Sequence, residues 1–198
     1  GVLIVNGLAL CQLLIQQAQT HLAGADNCDI ARALIPLLRS VEFRPVVYDD
    51  RPALADPAAF PDAEQVVCGD FRNIAGTLSL SPEDYVVVMT SGHLHDLEIQ
   101  EQILRQELAY VGVIGSRAKI AAVNARLREA GISEEKLRTV HTPVGTPIKA
   151  VTPAEIAVSI AAELVQERAR RGPAAAPPAA GPLPAPSSPL RLPFTEAP

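Results

Sequence analysis

Four short segments carry the residue types best suited to chemistry. The first is TSGHLHD at 90–96, where His93 and His95 stand two apart, Gly92 precedes them and Asp96 follows. Imidazoles ligate metals or carry protons near neutral pH, and an adjacent carboxylate can orient either ring. Residues two apart share a face on extended backbone and diverge on a helix. His93 and His95 are the candidate metal ligands, although the spacing differs from the i, i+4 pair of a helical zinc site. The plainer alternative makes Asp96 a helix N-cap with two incidental histidines. The second segment is GSRAK at 115–119. Gly115, the Ser116 hydroxyl, Arg117 and Lys119 would open a helix, where free backbone N–H groups and cations suit a phosphate. Cations at a helix N-terminus oppose its dipole by some tenths of a kcal/mol, a cost that an anion between them removes. The alternative is Ser116 as N-cap with both cations solvated. The third is DDR at 49–51, where Asp50 is placed to bond a ribose hydroxyl pair or to cap a turn before Pro52. The fourth is HTPVG at 141–145, where His141 leads into a loop stiffened by proline and glycine.

A fifth segment, LAGADNCDIARAL at 22–34, is a turn leading into a helix. A dinucleotide fold wants G-x-G-x-x-G there, so that the backbone can approach a pyrophosphate at the helix start. Only Gly24 fits. Asp26 occupies the place of the second glycine and Asp29 lies near the helix start, and each carboxylate would repel a phosphate by ~1 kcal/mol or more. This loop argues against NAD(P). The stretch before it, 19–23, is a poor strand former. The three cysteines, Cys11, Cys28 and Cys68, form no CxxC pair. They suit a reducing, cytoplasmic setting rather than a disulfide framework or a structural zinc. Cys68 ends an apolar run and reads as a small buried hydrophobe.

These segments need elements to position them. Apolar runs of strand length occur at 44–49, 64–68, 85–90 and 110–114. They are nearly continuous in valine and isoleucine, as a sheet covered on both faces requires. Helical periods lie between them, at 29–41, 95–108 and 116–130, the last followed by Gly131 as a C-cap. A further helix over 152–170 opens on TPAE, a capping box with proline at its first position. Alternating strands and helices predict an α/β fold with a doubly wound, mostly parallel, Rossmann-like sheet. In such a sheet ligands bind beyond the carboxyl ends of the strands, where the chemistry-bearing segments fall.

The chain has 198 residues, so one domain is expected over 1–172, with 1–18 hard to place. The apolar stretch 1–15 is too short for a membrane-spanning helix, which needs roughly 20 residues, and reads as strand plus helix. The last 26 residues, 173–198, hold nine of the 18 prolines and have no apolar period, which predicts a disordered Pro/Ala-rich tail. A net charge of −5 argues against a chain-wide nucleic-acid surface. Aromatics at 4% with no tryptophan leave little for base stacking.

From about 30 to 170 the chain resembles the C-terminal Rossmann domain of the XdhC/CoxI family of molybdenum-enzyme maturation factors. The matching stretches are YDDR (48–51), FPDA (60–63), GDF (69–71), DYVVVMT with Gly92-His93 and His95-Asp96, YVGVIGSRAK (110–119), HTPVG (141–145) and TPAEIAVSIAAEL (152–164). The glycine loop departs from the family's Gly-x-Gly-His pattern, and Ser91 and Ala118 stand where basic residues are common. The resemblance implies an accessory protein that transiently binds molybdenum cofactor, as molybdopterin or its dinucleotide form. It would assist sulfuration and insertion of that cofactor into an apo molybdenum hydroxylase of the xanthine or carbon-monoxide dehydrogenase type. A cysteine desulfurase and a second copy of the chain are the further partners implied. The cofactor pocket would hold Gly24, Asp50, Gly92, His93, His95, Asp96, Gly115, Ser116, Arg117, Lys119 and His141. Two alternatives stay open: an NAD(P)-dependent oxidoreductase using a histidine acid/base, and a cofactor-free interaction module that keeps the fold.

Overall fold

A computed structural model of the chain describes residues 2–5, 28–90 and 93–171. The strands are β1 (Val2–Val5), β2 (Pro45–Asp49), β3 (Gln65–Cys68), β4 (Tyr85–Val88), β5 (Tyr110–Val113) and β6 (Val140–His141). The helices are α1 (Cys28–Ser40), α2 (Ile74–Thr77), α3 (His93–Ile103), α4 (Arg117–Glu129), α5 (Glu134–Arg138) and α6 (Pro153–Arg170). They build one six-stranded sheet in the order β3-β2-β1-β4-β5-β6, the strand order of a doubly wound dinucleotide fold. The pairs β2–β3, β4–β5 and β5–β6 are parallel. The central strand β1 runs antiparallel to both β2 and β4, so the sheet is mostly parallel, as expected. The stretch 19–23 lies outside the described residues, as does the tail from 172 onward.

Helices cover both faces. On one side α1 packs on α6 over Val47, Tyr85, Val87 and Tyr110. On the other, α3 and α4 cover Val46, Tyr48, Val86, Val88, Val111 and Val113. Successive strand residues point to opposite faces, so β2 and β4 are buried along their whole length. Leu34, Leu38, Ile160 and Leu164 are fully buried between α1 and α6, each stabilising the fold by roughly 1.5–3 kcal/mol relative to exposure. The far end of α6 is fixed by Arg168, whose Nη1 donates to the Val41 carbonyl at 2.8 Å while its guanidinium lies 4.4 Å from the Phe43 ring centroid.

The expected capping box is present. The Thr152 hydroxyl accepts from Glu155 N at 3.2 Å, and the Glu155 carboxylate accepts from Thr152 N at 2.8 Å. Those backbone donors hold the Glu155 pKa below its usual value. Gly112 in β5 is required by crowding, because a Cβ there would come within 2.7 Å of Val144 Cγ2 and the Tyr110 hydroxyl. No described helix is long and apolar enough to cross a membrane.

Candidate functional site

The carboxyl ends of β2, β3, β4 and β5 share one rim of the sheet. Just past β4, Thr90 meets the first turn of α3 and the first turn of α4. Asp96, only 1% exposed, takes the Thr90 hydroxyl on Oδ1 and lies 2.5 Å from Lys119 Nζ through Oδ2. Lys119 Nζ also donates to the Thr90 carbonyl at 2.7 Å. One buried knot thus ties β4, α3 and α4 together. Burial pushes the Asp96 carboxyl up, against the pull of the Lys119 ammonium. Ser116 caps α4, its hydroxyl accepting from Lys119 N at 3.3 Å. The sequence offered two cations, Arg117 and Lys119, for an anion at this helix start. The fold commits Lys119 to Asp96. Arg117 is exposed and, among the described residues, takes part in no ion pair.

On the other flank of α3 an open cleft of ≈ 540 Å³ lies between the ends of β2 and β3 and the first turns of the helix. It is lined by Asp50, Asp70, Phe71, Arg72, His95 and Glu98. His95 Nδ1 lies 3.2 Å from a Glu98 oxygen, and its ring centroid is 5.3 Å from that of Phe71. Asp70 is held down to about 2 by the Arg72 guanidinium and backbone N–H. Three carboxylates against one guanidinium and one imidazole make this cleft acidic. The single cofactor pocket that the resemblance implies along the rim is therefore divided. Asp50 and His95 line an acidic space on one flank of α3, and the helix start bearing Arg117 lies on the other.

His141 lies elsewhere. It belongs to β6, paired beside Gly112, and faces α6. Its Nδ1 sits 2.6 Å from Glu163 Oε1, and its ring centroid lies 4.5 Å from that of Tyr110, the two rings tilted by 42°. The second Glu163 oxygen accepts from Gly145 N, pinning the loop after β6 to α6. Gly145 has φ +107, a conformation that favours glycine. His141 and His95 are thus on opposite sides of the sheet. His93 opens α3, and its side chain lies outside what the structure describes. Residues two apart on a helix do not share a face, so the backbone gives His93 and His95 no common ligating face. Among the described residues no group of three or more His, Cys, Asp or Glu could hold a metal. Gly24 and Gly92 lie outside the described residues. Gly115 lies between β5 and the cap of α4, as expected.

Two residues at this level were not singled out by the sequence. Asp49 is 0% exposed; its Oδ1 accepts from Arg51 N at 2.7 Å and from Arg51 Nε at 3.4 Å, while Oδ2 has no partner among the described residues. Burial pushes its carboxyl up from 3.8 to about 6. The available signal was parity: in a strand buried on both faces the last residue is buried too, whereas Asp50 lies past the end. The other is Glu163, whose partners are 22 and 18 residues upstream, a pairing no local pattern marks. Cys68 is exposed rather than buried at the end of β3, because β3 is the sheet's edge. Burial and the neighbouring carboxylates of Asp49 and Asp50 push its thiol up, which disfavours a thiolate nucleophile.

A family model described as the XdhC Rossmann domain matches residues 22–164. A Bacillus subtilis protein, described as a probable xanthine dehydrogenase component, is 32% identical over 136 residues, covering 69% of this chain and 38% of that protein. An uncharacterized protein, YqeB, of Escherichia coli is 32% identical over 104 residues, covering 52% of this chain and 19% of its own length. A crystal structure described as a xanthine dehydrogenase from Bacillus halodurans superposes with a TM-score of 0.63 at 32% identity, over 75% of this chain and 42% of that one. The chain therefore spans less than half the length of these relatives.

Proposed function

The chain belongs to the XdhC Rossmann-domain family, and from that premise we propose that it binds molybdenum cofactor at the carboxyl rim of its sheet. It acts there as an accessory protein in maturing a xanthine dehydrogenase-type molybdenum hydroxylase. The observation that carries the cofactor reading is the first turn of α4: Arg117 is exposed beside backbone N–H groups at a helix start, and Lys119–Asp96–Thr90 braces that turn. This arrangement fits the phosphate of a pterin cofactor. Arg117 and the α4 amides hold the phosphate. Ser116 is already an acceptor for Lys119 N, and its hydroxyl proton is left to donate. Asp50 and His95 line the acidic cleft on the other flank of α3 and take no part in holding the phosphate. When bound, the cofactor supplies the metal and its sulfur. The chain's residues only bind, orient and release, and no turnover is asked of them. The partner is the apo-hydroxylase, and the sulfur donor is a cysteine desulfurase.

The test is co-expression with an apo-hydroxylase, followed by assay of the purified chain for bound pterin. Pterin that copurifies with the wild type and is lost in Arg117→Ala supports the reading. A pterin-free chain whose deletion leaves hydroxylase activity unchanged overturns it in favour of a cofactor-free module. A nicotinamide-dependent oxidoreductase is the second reading, favoured by the strand order and by Asp50 just past β2. A rise of several degrees in melting temperature with NADH or NADPH would establish that reading instead.

A further inference from the structure

A water-sized void lies behind the Asp96 knot, between α3, α4, β5 and the loop after β6. Its volume is ≈ 10 Å³. Four polar side chains line it: Asp96 and Gln100 from α3, Asn124 from α4, and Thr142 from the loop after β6. Valine and isoleucine close the rest. The Thr142 hydroxyl is fully buried and has no hydrogen-bond partner among the described residues. Gln100 is 3% exposed. A buried hydroxyl without a partner costs about 1–3 kcal/mol, and native interiors meet that cost with an ordered water wherever room and partners exist.

We infer that this void is a binding site for one ordered water molecule, held by the Thr142 hydroxyl and by polar groups of Asp96, Gln100 and Asn124. The volume admits about one water and nothing larger. The charge balance selects a neutral occupant. The Asp96 carboxylate already faces the Lys119 ammonium at 2.5 Å, so a cation would be repelled by that ammonium and an anion by the carboxylate. Water alone offers both donors and acceptors to a mixed set of a carboxylate, two amides and a hydroxyl. Seated there, it extends the knot. The link that joins β4, α3 and α4 reaches the loop after β6, an element the direct hydrogen bonds of Asp96 leave out.

This site does not depend on the cofactor reading and is tested without it. The experiment uses the full chain in three forms: wild type, Thr142→Val and Thr142→Ser. The measurements are a crystal structure at high resolution, water-to-amide exchange peaks by NMR, and melting temperature. Density for one water within hydrogen-bond distance of Thr142 Oγ1 is expected in the wild type and in Thr142→Ser, and none in Thr142→Val. The melting temperature separates the two cases by sign. If water fills the void, Thr142→Val breaks its network and melts about 2–4 °C lower. If the void is dry, the same change removes an unpaired hydroxyl and melts at the same temperature or higher. An empty or collapsed void in the wild type, together with a Thr142→Val protein that is not less stable, overturns the inference.

Discussion

Asp96 and Asp49 are buried carboxylates at one rim of the sheet, 1% and 0% exposed, on opposite faces of it. Asp96, on the α3/α4 side, has a hydroxyl on one oxygen and an ammonium on the other. Asp49, on the α1/α6 side, has the Arg51 amide at 2.7 Å and the Arg51 Nε at a long 3.4 Å on one oxygen and, among the described residues, nothing on the other. Burial raises both pKa values, and the difference lies in what opposes it. Asp96 is an anchor whose partners hold three elements together. Asp49 is a charge the fold tolerates with half its hydrogen bonding unmet. The contrast teaches that burial alone does not mark a structural carboxylate. The partners decide, and removing them one at a time tests it.

The largest effect belongs to Asp96. Asp96→Ala leaves the Lys119 ammonium, 14% exposed, facing only the Thr90 carbonyl among the described residues. Breaking one side of a buried pair costs about 3–5 kcal/mol, which lowers the melting temperature by roughly 6–20 °C at this chain length. Pairing Asp96→Ala with Lys119→Met should recover much of the loss, because no charge is left uncompensated. A thermal melt of the single and double variants that gave additive losses would show that the knot is not a unit.

Asp49 should respond with the opposite sign. Its carboxyl is raised from 3.8 to about 6, so the folded protein holds that proton more tightly than the unfolded chain does. Ionised Asp49 therefore costs stability above pH 6, and the cost fades as pH falls toward 4. A shift of this size corresponds to about 2–3 kcal/mol. Asp49→Asn keeps the acceptor for Arg51 N and removes the charge, giving up only the long, part-exposed ion pair with Arg51 Nε. It should stabilise the protein by about 2 kcal/mol at pH 8 and by progressively less toward pH 4. Denaturant melts across that range check this. A pH-independent difference between wild type and variant would mean that Oδ2 finds a partner in solution.

A smaller effect is expected at Glu163, which resembles Asp96 in having both oxygens engaged. Glu163→Gln keeps one acceptor and loses charge on the bonds to His141 and Gly145 N. The expected cost is about 1–2 kcal/mol. The sharper readout is amide exchange: the Gly145 N–H should exchange faster while amides of α3 and α4 are unmoved.

Most of the scaffold is readable from residue order. Strands β2 to β5 and helices α1, α4 and α6 fall where the valine-rich runs and helical periods put them, because a sheet covered on both faces leaves continuous apolar runs. Helix α3 runs from His93 to Ile103, where the helical period predicts 95–108. Thr152 caps as expected, and Ser116 caps as the plainer alternative for that segment had it, since capping is local chemistry. What cannot be read is nonlocal. The antiparallel β1 depends on pairing with β2 and β4, not on its own four residues. Strand β6 has two residues, too few to reveal by alternation that His141 faces α6. Lys119 has the look of an anion ligand in sequence because its partner Asp96 lies 23 residues earlier and meets it only through the fold. In each case a residue's type and neighbours name its chemistry, and the sheet's parity decides its use.

Arg117 is expected to show the smallest stability effect and the clearest functional one. It opens α4 without an ion pair among the described residues, and a cation at the first position opposes the helix dipole. Arg117→Ala should leave the melting temperature unchanged or slightly raised, within about 0.5 kcal/mol. If this helix start holds the cofactor phosphate, the same change removes a charge-assisted bond of about 1.5–3 kcal/mol, so pterin retention should fall by roughly ten-fold or more. Arg117→Lys should restore part of it, since an ammonium supplies the charge without the guanidinium fork. Asp96→Asn should weaken retention only in proportion to its effect on folding. A stable Arg117→Ala protein that keeps its pterin would move the anion site away from α4 and leave Lys119–Asp96 as pure scaffold.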